Sequence, residues 1–110
     1  MPHEKTPQDS LVEMTEVVFP QHTNPLGAVF GGAVLAWVDT AAAICAQRHT
    51  GKIVVTASID SMHFLAPIQL GWIVNIKASL NATANTSCEV GIKITAENPI
   101  TNEQAMASLV

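Results

Sequence analysis

A chain of 110 residues has room for one hydrophobic core and none for a second. Its net charge of −4 sets nine acids against five scattered bases, Lys5, Arg48, Lys52, Lys77 and Lys93, which excludes a basic face for duplex nucleic acid. With 48% hydrophobic and only 13% charged residues, a small monomer has few charges to cover its surface, so some apolar surface is expected to meet a second copy.

The first ten residues, MPHEKTPQDS, are polar and lack the apolar stretch of a secretory signal, so they read as a flexible tail of a cytoplasmic protein, with the domain over 11–110. Leu11 to Phe19 is rich in β-formers and predicts a strand that Pro20 ends. The following PQHTNPLG holds Pro20, Asn24, Pro25 and Gly27, residues that favour turns by fixed φ, side-chain hydrogen bonding and permitted positive φ.

From Gly32 to His49 helix formers dominate, and Gly51 follows a last turn that carries Arg48 and His49. The apolar residues of this helix go almost all the way round, so it is expected to be buried. A membrane is the poorer burial site. The 19 residues Ala28 to Ala46 hold Asp39 near their centre, no basic residue precedes them closely, and a central aspartate costs ~2.5–3.5 kcal/mol on insertion scales. A sheet wrapped around the helix is the remaining solution.

The rest of the chain supplies that sheet. Ile53 to Asp60 alternates with period two, and the phase then flips at Met62 and Phe64, which predicts a bulge or bend near Ser61. After the turn APIQLG, Trp72 to Leu80 alternates cleanly; NATANTS reads as the next turn. Cys88 to Glu97 forms a third alternating set, NPITN a turn, and a last strand begins near Glu103 and stops mid-pattern at Val110. Strand, helix and four strands joined by short turns predict an α+β fold, a five-stranded antiparallel sheet around one central helix.

Asp39 is the outstanding candidate for chemistry, because an ionised carboxylate among Ala, Val, Leu and Trp is expensive to bury unpaired. Composition alone leaves open a structural aspartate or a catalytic one with a tuned pKa. Gly31 and Gly32 precede the helix, whose unpaired N–H groups and positive dipole end can hold an oxyanion or a polarised carbonyl. Asn24 adds an amide close by in sequence. Each signal is weak alone, and the combination has catalytic logic. His22, His49 and His63 read as surface or packing residues. Cys45 and Cys88 lie 43 residues apart with no CxxC pairing, which argues against a zinc site and for free thiols of a reducing compartment.

The stretches HTNPLGAVFGG, WVDTAAAICAQRH, VVTASIDSMHFLAPIQLGW and ANTSCEVGIKITAENP, in this order and spacing, resemble the hotdog-fold acyl-CoA thioesterases related to bacterial YciA and the brain acyl-CoA hydrolase. The resemblance runs from Leu11 to Val110, and its most specific part is T-N-x-x-G-x-x-F-G-G with an aspartate seven residues after the second glycine. It implies hydrolysis of fatty acyl-CoA to free acid and CoA with no metal or other cofactor. It also implies that Asp39 activates water or attacks the thioester, that Asn24 of a neighbouring subunit positions the water or carbonyl, and that amides near Gly31 and Gly32 hold the thioester oxygen. Thr86 and Ser87 match the turn that meets CoA, whereas Ala84 and Asn85 stand where relatives carry a glycine and a basic residue. The assembly implied is a homodimer with shared sites, commonly built into hexamers as a trimer of dimers, with no nucleic-acid or membrane partner.

Two other readings compete. A non-catalytic acyl-CoA-binding module could use the same fold. A dehydratase would need an Asp and His pair, but His49 lies ten residues beyond Asp39, about 15 Å along a helix.

Overall fold

The computed structural model describes residues 7–54, 62–64, 67–84 and 87–109. The secondary elements are β1 (Val12–Val17), α1 (Gly31–Thr50), β2 (Met62–Phe64), β3 (Ile73–Thr83), β4 (Cys88–Glu97) and β5 (Gln104–Leu109). The strands pair antiparallel in the order β1, β3, β4, β5, β2, and one helix lies across them. The strand and bend expected over 53–61 fall largely outside the described residues.

Alternation along the strands builds one apolar layer. The register places Ile76 opposite Ile94 and Ala78 opposite Ile92, with Val12 opposite Ala78 on the other side. Val74, Ile76, Ala78, Ile92, Ile94 and Ala96 are buried together with Val34, Val38, Ala41 and Cys45 of α1. Those four helix positions are spaced by 4, 3 and 4 residues, which keeps them on one face of a 3.6-residue helix. Ile76 and Ile94 are fully buried at the centre of the layer. Ile76→Ala is therefore expected to cost ~2–5 kcal/mol, read as a lower urea midpoint with an unchanged slope.

The helix begins and ends by different means. Phe30 is its N-cap in an extended conformation (φ −88°, ψ 151°), and no side chain caps the first N–H groups. At the other end Gly51 takes the left-handed conformation (φ 70°) and its N–H donates to the Gln47 carbonyl at 2.8 Å, closing the last turn.

Three findings depart from the sequence reading. Residues Pro7–Ser10, part of the stretch expected to be a loose tail, form a 3-10 turn packed on α1 and β3, with Ser10 fully buried. Arg48 fastens this entry by donating to the Leu11 carbonyl at 2.8 Å. Next, β3 runs on through Asn81, Ala82 and Thr83, residues that read as turn formers, because β4 pairs with Ala82 and Thr83 beyond a register shift that skips Asn81. Finally, α1 is covered by the sheet on one side only. Gly32, Leu35, Ala36, Asp39 and Thr40 are exposed in the single chain, although the composition of the helix predicts burial all round.

Candidate active site

The loop between β1 and α1 is held by its own hydrogen bonds. The Thr23 N–H and Oγ1–H both donate to the Pro20 carbonyl, at 3.1 and 2.7 Å, and the Asn24 N–H donates to Ala28 at 2.9 Å. Asn24 Oδ1 accepts the N–H groups of Leu26 at 2.9 Å and Ala28 at 3.2 Å, while Gly27 turns the chain at φ 81°. The loop is tied outward as well: Val29 N–H donates to Ile68 at 2.7 Å and Leu70 N–H to Gly27 at 3.0 Å. With its oxygen engaged twice, the Asn24 amide has its NH2 end left to offer.

At the helix start, neither Gly31 nor Gly32 needs positive φ. A Cβ at Gly31 would meet nothing within 4 Å, whereas one at Gly32 would come within 3.2 Å of the Phe30 ring. Within one chain, then, Gly31 is not a packing requirement, and its bare backbone leaves the first helical N–H groups open to approach.

Asp39 is exposed in the single chain, so the burial penalty inferred from its neighbours does not arise there. Helical spacing puts Gly32, Leu35, Ala36 and Ala43 on its face. Gly32 and Asp39 are seven residues apart, about 10 Å along the axis and nearly eclipsed. A carboxylate and a set of uncapped amides thus share one side of α1.

Other residues are kept apart. The loop touches the helix at Trp37, whose ring meets His22 edge-on with centroids 5.0 Å apart. Trp37 and Asp39 differ by about 200° around the helix, so the loop's anchor lies nearly opposite the carboxylate. Ser87 is exposed in the turn after β3, where the Ala84 N–H donates to its carbonyl at 2.8 Å. The helix start neighbours the Ile73 end of β3, and about ten strand residues, roughly 33 Å, separate that end from the turn. One chain does not bring Ser87 to Asn24 or to the glycines. Thr86 lies outside the described residues.

The remaining candidates are quieter. Burial pushes the Cys45 thiol above its ordinary pKa, partly offset by a hydrogen bond with Ser10, which disfavours the thiolate a nucleophile needs. Among the described residues no group of three His, Cys, Asp or Glu could hold a metal, and no helix is long and apolar enough to cross a membrane. The contacts of His22 have no signal in the sequence, because Trp37 lies fifteen residues away with no motif linking the two.

Comparison with known proteins sets this geometry in a family. The model of the thioesterase superfamily matches residues 26–102. Acyl-coenzyme A thioesterase 11 of Mus musculus is 43% identical over 93 residues, which cover 84% of this chain but 16% of that protein. Among solved structures, an apo-hexameric acyl-CoA thioesterase superposes with a TM-score of 0.85 at 34% identity, covering 96% of this chain and 72% of that one. The acyl-CoA hydrolase from Staphylococcus aureus, solved with butyryl coenzyme A, coenzyme A and coenzyme A disulfide, gives a TM-score of 0.84 at 34% identity, covering 96% and 68%. The chain belongs to the thioesterase superfamily, among the hotdog-fold acyl-CoA thioesterases.

Proposed function

We propose that this chain hydrolyses acyl-CoA thioesters to free acid and CoA, as one subunit of a homo-oligomer with composite active sites. The observation that carries the reading is the shared face of α1, where the Asp39 carboxylate stands in line with the uncapped amides at Gly31 and Gly32. Asp39 takes a proton from water as its oxygen attacks the thioester carbon, or attacks that carbon itself. The carbonyl oxygen gains negative charge, and the helix-start N–H groups hold it. The C–S bond then breaks and the leaving sulfur recovers a proton. These steps need no metal, redox group or other cofactor.

Asn24 acts in the site of a neighbouring copy, donating through its NH2 end to the water or the carbonyl. Two features support the sharing. The Asn24 loop is anchored on the side of α1 away from Asp39, and exposed apolar side chains surround the helix start, among them Phe19, Leu26, Phe30 and Leu35. The assembly is a dimer built further into a hexamer, each subunit carrying a five-stranded sheet, and its place is the cytoplasm. Thr86 and Ser87 meet the CoA portion of a substrate bound across subunits, consistent with the distance of Ser87 from its own helix start.

Free-CoA release with a series of acyl-CoA chain lengths tests the reading. Turnover of at least one member of the series, lost in Asp39→Asn, is the expected result. A protein that binds acyl-CoA without releasing CoA is a binding module instead.

A further inference from the structure

We propose that His22 is a positioning residue, which locks the Asn24 loop to the first turns of α1 so that the asparagine amide is presented to the neighbouring copy's site from a rigid support. The inference rests on the proposed role of Asn24 and adds to it the group that fixes the loop on which the asparagine stands.

Five contacts converge on this one residue. Its backbone N–H donates to the Phe19 carbonyl at 2.9 Å, and its Nδ1 accepts the Phe19 N–H at 3.0 Å. This reciprocal pair fixes the ring and puts its proton on Nε2. Its carbonyl accepts the N–H of Phe30, the helix N-cap, at 3.0 Å. Its ring stands edge-on to Trp37 in the second turn of α1 and lies 5.9 Å from the Phe19 ring. Three segments therefore meet at His22: the chain leaving β1, the helix cap and the helix body. Asn24 is only two residues further on, with Thr23 pinned to Pro20 between them.

Two variants separate the parts of the clamp. His22→Phe keeps an aromatic ring on Trp37 but cannot accept the Phe19 N–H. His22→Asn can present Oδ1 where Nδ1 stood, at the cost of the ring. A catalytic geometry relaxed by a fraction of an ångström to 1 Å loses up to ~10²-fold, so His22→Phe should lower kcat about 10- to 100-fold. KM should change much less, and the far-ultraviolet circular dichroism and assembly state should stay as in the unmodified protein. His22→Asn should recover part of the lost kcat. In the Asn24→Ala background, His22→Phe should cost nothing more, because the group it positions is gone.

The inference is overturned by an unchanged kcat in His22→Phe while Asn24→Ala and Asp39→Asn are impaired. Losses from His22→Phe and Asn24→Ala that multiply in the double variant overturn it too, as does recovery no better in His22→Asn than in His22→Phe. If Asn24→Ala and Asp39→Asn both hydrolyse acyl-CoA at the unmodified rate, the underlying assignment of the site is what fails, and this inference with it.

Discussion

Asp39→Asn is expected to lower kcat for acyl-CoA hydrolysis by at least ~10²–10⁴-fold, the usual worth of general-base assistance. The amide keeps the size of the carboxylate and most of its hydrogen-bonding capacity but cannot take a proton from water or attack a carbonyl. Folding should survive, since Asp39 is exposed in the subunit and an amide is no harder to accommodate than an ion. The measurement is steady-state CoA release beside a urea melt. A variant that turns over normally and only melts earlier would make Asp39 structural.

Asn24→Ala should lower kcat less, by about 10²-fold, the scale seen when one donor to a developing oxyanion is removed. Its fold effect needs a control, because Oδ1 also accepts the Leu26 and Ala28 N–H groups and the loop loses both bonds. Asn24→Asp keeps an acceptor for those N–H groups and removes the NH2 donor, so it should be comparably inactive with an intact loop. Co-expression then tests whether the site is shared. If Asn24 and Asp39 of different copies form each site, a mixed dimer of Asn24→Ala and Asp39→Asn subunits carries one doubly damaged site and one intact site. Random pairing in a two-fold dimer restores about a quarter of full activity. Restoration near zero would place both residues of a site in one chain.

Much of the architecture is legible in the residues because it follows from local rules. Gly51 after Arg48 and His49 marks the end of α1, and strict alternation from Cys88 to Glu97 marks β4 to the residue. What escapes the sequence depends on partners distant along the chain. Ala82 and Thr83 read as turn residues, yet β4 draws them into the ladder. Ser10 belongs to a polar stretch, yet Cys45 and the sheet enclose it.

The site divides in the same way. The amide loop, the paired glycines and the aspartate are visible as a pattern, whereas the exposure of Asp39 is not, since a helix of Ala, Val and Leu reads as buried on every side. The sheet can cover only half of it. His22 shows the converse: a lone loop histidine has no pattern at all, and its reach to Trp37 and Phe30 is set by the folded loop.

The one-sided covering of α1 also decides when the electrostatic cost of the site falls due. Asp39 is exposed in the single chain, so little desolvation weighs against the folded subunit. In the proposed assembly that penalty moves to association, where the apolar surface around Phe30 and Leu35 is there to offset it. Folding and activation become separate equilibria, the first independent of protein concentration and the second governed by it. Hydrolytic competence would then be a property of subunit contact, acquired on assembly and lost on dilution while each chain keeps its core.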